Sequence, residues 1–235
     1  MKMTKFLGAA AVVACCGVIA PVSAAIVQVQ YTGTVSSGYD ITGVFGTANS
    51  FLTGAAYTAN YTFETANGYT YNSPNQNYAY GGSAYPTLSP SLGSTVTING
   101  NTVSIAGNYF GEIYGIHLDY FGQTYHAAQD YVSSGSGYTN NYSYNTIYNF
   151  SNTIPASITG PFSYAVTGGD YANGYVQITD YNYSSGTVAY ANAYLTPDHV
   201  TIGAPIPEPE TYAMLLAGLG LLGFAARRRK LKLAA

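Results

Sequence analysis

The sequence predicts an all-β chain, an antiparallel β-sandwich of jelly-roll-like or Ig-like kind, across Ala25 to Ala204 of its 235 residues. Three observations carry this. No helical period of useful length runs through the segment, whereas alternation of apolar and polar residues recurs throughout. Prolines at 86, 90, 155, 161 and 197, with many of the 27 glycines, punctuate the intervals between alternating runs. One Asn-Gly pair also stands where a tight hairpin turn requires it.

In chain order, Val27, Val29 and Tyr31 alternate with Gln28, Gln30 and Thr32. Tyr57, Ala59, Tyr61 and Phe63 then alternate with Thr58, Asn60, Thr62 and Glu64, so each run has one apolar face. Around Asn99-Gly100, a two-residue loop pairs Ile98 with Asn101, Val96 with Val103 and Ser94 with Ile105. That register places Val96, Ile98, Val103 and Ile105 on one face. Glu112 to Tyr120, Tyr175 to Asp180 and Thr187 to Leu195 read as further strands. Residues Gly68 to Pro86 and Tyr131 to Phe150, biased toward Tyr, Asn, Ser and Gly without a fixed period, read as loops or irregular edge strands.

The two ends differ from this middle. Met1 to Lys5 is short and basic, Phe6 to Ala20 is apolar, and Val22-Ser23-Ala24 precedes Ala25, which reads as a signal peptide over 1–24 cut between Ala24 and Ala25. Sec translocon and signal peptidase are the partners such a segment implies. At the other end, Pro205, Pro207 and Pro209 forbid helix and keep the segment extended. Tyr212 to Ala226 is apolar and, as a helix, about 22 Å long at about 1.5 Å per residue, a marginal membrane span. Arg227, Arg228, Arg229 and Lys230 form a stop-transfer cluster that stays on the inner side, as do Lys2 and Lys5. Both greasy ends are therefore held from the inside, and the middle is placed outside.

Pro207, Glu208 and Pro209, followed by an apolar helix and an arginine run, together resemble the PEP-CTERM sorting signal over residues 205–230, within a tail unit of 205–235. That resemblance implies recognition and cleavage by an exosortase, a membrane-embedded cysteine transpeptidase of Gram-negative bacteria. It also implies transient anchoring in the inner membrane, then release or attachment at the cell surface or outer membrane. Gly33-Thr34-Val35, Gly43-Val44-Phe45-Gly46 and Tyr61-Thr62-Phe63, within Tyr31 to Phe63, resemble a module of other PEP-CTERM exported proteins, which implies no activity.

Charge narrows the function classes. Every Lys and Arg lies in the two ends, so Ala25 to Ala204 sets eight carboxylates against no such cation, a formal charge of −8. A surface of this kind cannot neutralise phosphates, which argues against nucleic acid. Cys15 and Cys16 both fall in the N-terminal apolar stretch, leaving the middle without a thiol. With 26 tyrosines and no tryptophan, the core must accommodate hydroxyls.

No catalytic, cofactor-binding or metal residue is assigned. His117, Asp119 and His126 are too few for a closed metal site, and alternation puts His117 and Asp119 on the solvent face, opposite Tyr114, Ile116, Leu118 and Tyr120. Glu64 and Glu112, the only glutamates of the middle, could form a glycosidase pair only at the right separation. Asp130, Asp170, Asp180 and Asp198 lack the close alternation of a calcium loop. The expected function is a non-enzymatic surface or matrix protein, structural or adhesive in exopolysaccharide or biofilm. The alternative is a carbohydrate-binding module whose tyrosines stack on sugar rings, and the third reading a secreted carbohydrate-active enzyme.

Overall fold

The computed structural model describes residues 26–203, and these form an all-β, antiparallel fold with no helix. Thirteen strands follow in order: β1 (Ile26–Asp40), β2 (Ser50–Phe51), β3 (Ala56–Glu64), β4 (Tyr69–Asn72), β5 (Gln76–Gly81), β6 (Ser91–Ile98), β7 (Asn101–Ile105), β8 (Phe110–Leu118), β9 (Phe121–Ser134), β10 (Gly137–Asn149), β11 (Phe162–Ala165), β12 (Tyr171–Asn182) and β13 (Gly186–Ile202). They belong to one sheet with the order β4-β5-β8-β9-β10-β12-β13-β1-β3-β6-β7, with β2 on β1 and β11 on β13. The sandwich closes by curling. The β1, β3, β6 and β7 half folds over so that β6 meets β8 and β9, and β7 meets β9 and β10.

The bend runs through β1 and β13, whose pairing is interrupted by register shifts between Thr32 and Gly33 and between Val35 and Ser37. An unpaired residue in one strand bends and twists it. At the first shift the extra residue is Asp198, whose carboxylate accepts a 2.8 Å hydrogen bond from Thr32 Oγ1. The same point is where β13 exchanges partners, β12 ending at Leu195 and β11 beginning at His199. Pro197, expected to punctuate, sits inside the strand at this gap, where its missing N–H is not needed. Gly33 permits the close approach, since a Cβ there would lie 2.1 Å from the Thr196 carbonyl oxygen.

The alternating runs of β1 and β3 bury the faces expected of them, and the β6–β7 hairpin has the expected register, with Asn99 at φ 52° and Gly100 at φ 80°. Two expectations are corrected. Tyr131 to Phe150 is neither loop nor irregular edge strand: it holds the end of β9 and all of β10, a central strand that buries Ser143, Asn145 and Ile147. On β8 the faces are inverted: Gly111, Ile113 and Gly115 point inward, and Tyr114 and Ile116 point outward.

The core holds polar groups because tyrosines fill it. Tyr57 donates to Asn145 Oδ1 at 2.8 Å, Asn145 Nδ2 donates to Tyr61 Oη at 2.9 Å, and Tyr61 Oη lies 2.6 Å from Ser143 Oγ. This chain links β3 to β10 across the two layers. Tyr31 on β1 reaches His126 Nδ1 on β9 at 2.7 Å, a second bridge. Asp40, fully buried, has no cation and instead accepts backbone N–H bonds from Gly43, Val44 and Phe45 at 2.8, 2.9 and 2.6 Å.

Candidate functional site: the tyrosine face of the sheet

The outer face carries tyrosines in rows set by strand register. Tyr71 on β4 lies opposite Tyr78 on β5, Tyr78 opposite Tyr114 on β8, and Tyr114 opposite Tyr125 on β9. Tyr125 then meets Tyr144 on β10 diagonally, and Tyr144, Tyr175 on β12 and Tyr194 on β13 lie directly opposite one another. Residues paired across antiparallel strands share a face, so these tyrosines form one band over seven neighbouring strands. At about 4.8 Å per step its length is roughly 29 Å. Ring centroids are 5.3 Å apart for Tyr71 and Tyr78, 5.8 Å for Tyr125 and Tyr144, and 5.1 Å for Tyr175 and Tyr194.

Hydrogen-bonding groups are interleaved with the rings. Tyr175 donates to Gln177 Oε1 at 3.0 Å, Gln76 Nε2 donates to Tyr114 Oη at 3.4 Å, and the hydroxyls of Tyr125 and Tyr142 are 3.2 Å apart. Glu112 lies in the face, opposite Tyr80 and Ala127, and burial raises its carboxyl above the usual range.

The band is broken by one hollow. The row Tyr71, Tyr78, Tyr114 and Tyr125 continues into Thr146 and Asn173, two small polar residues where aromatic rings would complete it. Loss of those rings opens a space of about 380 Å³ walled by Tyr125, Tyr144, Tyr148 and Tyr171. In it, Asn173 Nδ2 donates to Tyr171 Oη at 2.7 Å, while Asn173 Oδ1 is buried without a partner.

The residues singled out in the sequence are not gathered here. His117 stands at the end of β8, Asp119 in the β8–β9 turn, and His126 in the core, where burial lowers its imidazole to about 3. Among the described residues no three His, Cys, Asp or Glu side chains converge on a metal position. Glu64 and Glu112 lie on β3 and β8, which are not neighbours in the sheet. Asp130 accepts from the N–H groups of Ala106 and Asn108 at 2.5 and 3.1 Å, closing a turn. Burial opposes the charge of Asp170, but hydrogen bonds from Tyr164, Thr167 and Asn149 outweigh it and hold the carboxyl below its usual range. Ala24, Ala25, Pro207, Glu208, Pro209 and Arg227 to Lys230 lie outside the described residues.

The tyrosine band escaped the sequence reading because tyrosine lines both faces, inward at Tyr31, Tyr57 and Tyr61 and outward at Tyr114, Tyr144 and Tyr175. A usable signal is what alternates with it. Outward tyrosines are flanked by inward Gly, Ser or Asn, as in Gly115, Ser143, Asn145 and Gly174.

Residues 205–230 match the PEP-CTERM protein-sorting motif. The chain thus carries a PEP-CTERM sorting signal, and the motif implies export and sorting through an exosortase. No curated protein and no solved structure matches the chain.

Proposed function

We propose that this chain is an exported, non-catalytic component of the extracellular matrix that holds polysaccharide on its tyrosine face after exosortase processing of its tail. The observation that carries the reading is the hollow in the band, where aromatic walls surround the polar side chains of Thr146 and Asn173. Sugar rings present apolar C–H faces that stack on aromatic rings and hydroxyls that pair with phenol hydroxyls, so ring and rim chemistry match together. The roughly 29 Å band allows an extended polymer to lie across several strands at once. Signal peptidase, the Sec translocon and the exosortase deliver the domain, and Pro207, Glu208 and Pro209 mark the tail for recognition.

Co-sedimentation of the exported protein with insoluble neutral polysaccharides tests this. Tyr144→Ala with Tyr171→Ala removes two walls of the hollow at outward positions, and a loss of roughly tenfold in affinity is expected from two aromatic contacts. Unchanged binding by that double variant sinks the proposal, as does release of new reducing ends from the polymer, which would make the protein an enzyme.

A further inference from the structure

We infer that the protein has a second glycan site, a cleft for neutral sugar on the opposite side of the sheet from the tyrosines, which makes it a bivalent linker of polysaccharide chains. The cleft has a volume of about 640 Å³ and lies between the β4–β5 hairpin, the end of β8 and residues 155–159. Register fixes its side. Thr70, Asn72 and Asn77 line it, and along β4 and β5 they alternate with the outward Tyr69, Tyr71 and Tyr78, so they face away from the band, which the cleft touches only at Tyr78.

The chemistry of the lining selects the ligand. Every polar side chain that lines the cleft, Thr65 and Tyr78 included, ends in a hydroxyl, an amide or the His117 imidazole, and no carboxylate, Lys or Arg is among them. An anionic sugar would find no cation there and a domain of formal charge −8 around it. A neutral polyhydroxylated ring meets both donors and acceptors.

His117 supplies a fixed acceptor. Its Nδ1 lies 2.8 Å from the Ile154 carbonyl oxygen, which can only accept, so Nδ1 carries the proton. With Nδ1 bearing the proton Nε2 is an acceptor, and among the described residues it has no hydrogen-bond partner and is not a buried unpaired atom, so it is open to a ligand hydroxyl. The walls are held as well: Asn77 Nδ2 donates to the Ser73 and Ala156 carbonyl oxygens at 3.1 and 3.0 Å, tying the hairpin to the facing segment.

The linking role rests on the tyrosine-face reading, whereas the cleft stands independently, and the experiment separates them. Calorimetry on the exported protein uses neutral hexasaccharides (β-1,4-, α-1,4- and β-1,3-glucans, a β-1,4-mannan and a β-1,4-xylan) and a uronic hexasaccharide. At least one neutral probe is expected to bind saturably and the uronic probe not to bind. His117→Ala should weaken binding roughly three- to tenfold, the worth of one hydrogen bond. Because His117 also anchors Ile154, Thr70→Trp, at an exposed edge position, provides the second variant and, added to Tyr144→Ala and Tyr171→Ala so that only the cleft is read, should abolish hexasaccharide binding by filling it. Binding of none of the neutral probes, tighter binding of the uronic one, or full binding by Thr70→Trp overturns the cleft. Viscometry of a soluble neutral polysaccharide then reads linkage: the parent protein should raise viscosity, and either Thr70→Trp or the Tyr144→Ala, Tyr171→Ala pair should remove the rise. Viscosity retained by Thr70→Trp overturns bivalency. Hexasaccharide binding retained by a tyrosine variant that loses none of its polymer affinity leaves the cleft standing and sinks the tyrosine-face reading alone.

Discussion

His126 sits among aromatic rings in the core, its Nδ1 paired with the Tyr31 hydroxyl at 2.7 Å. It lies within 5.5 to 6.2 Å of the ring centroids of Tyr31, Tyr61 and Phe63, and its Nε2 has no hydrogen-bond partner. Burial holds its imidazole at about 3 against an ordinary 6.5, so the folded state binds the neutral ring. A depressed histidine contributes stability that is complete above pH 6.5 and is lost as pH falls from 6.5 toward 3, because the unfolded chain takes up the proton first. Its full worth is on the order of 5 kcal/mol. Thermal unfolding followed from pH 7 to pH 4 should show a progressive fall, and His126→Gln should flatten that part of the curve. An unchanged slope in the variant would assign the acid sensitivity to the carboxylates instead. The hydroxyl network gives a second outcome at this scale. Tyr61→Phe keeps the ring but strips Asn145 and Ser143 of a shared partner, both fully buried, so a loss of about 1–3 kcal/mol in denaturant unfolding is expected.

Strands were legible where one face is aliphatic. Val96, Ile98 and Ile105 opposite threonine and serine leave one choice of register, and Asn99-Gly100 leaves one choice of turn. They were not legible where tyrosine alternates with Gly, Ser or Asn, because a phenol suits a core or a wet surface and hydropathy does not say which. β10 is the clearest instance: its inward residues include Ser143, Asn145 and Asn149, and only the Tyr57 and Tyr61 hydroxyls arriving from the other layer make that face buried. β8 inverts for a related reason. Gly111 and Gly115 face inward because chain packs directly on them, a Cβ on Gly115 lying 2.6 Å from the Ala156 carbonyl oxygen. The sorting tail was legible for the opposite reason, since its signal is order along the chain and needs no tertiary partner. Two glycine substitutions separate these cases. Gly100→Ala meets open space and is opposed only by its φ of 80°, which predicts a cost of about 1–2 kcal/mol. Gly174→Ala has ordinary φ but puts a Cβ 2.4 Å from Asn145 Oδ1 and 2.8 Å from the Tyr144 carbonyl oxygen, displacing the amide that joins the two layers. It should lower the unfolding midpoint more than Gly100→Ala does, and the reverse order would show that the Tyr57–Asn145–Tyr61 chain is dispensable.

On the scale of the whole molecule, the domain is built without Lys or Arg, and that choice reaches from folding to ligand preference. Its carboxylates are held by backbone and side-chain donors: Asp40 by three N–H groups, Asp130 by two, Asp170 by Tyr164, Thr167 and Asn149. These bonds satisfy the three acids locally but leave the charge in place, so the domain sets a formal −8 against any approaching polymer. Neutral polysaccharide feels no such field, and its adhesion to tyrosine rings and amides should be almost indifferent to ionic strength. A polyuronate is repelled over a Debye length of about 30 Å at 0.01 M salt, a distance comparable with the tyrosine band, and over only about 3 Å at 1 M. Co-sedimentation at these two salt concentrations should therefore show constant binding to a neutral glucan, and polyuronate binding that is absent at low salt and emerges at high salt. Polyuronate binding that is strongest at low salt would demand a cationic surface, which the sequence between Lys5 and Arg227 does not supply.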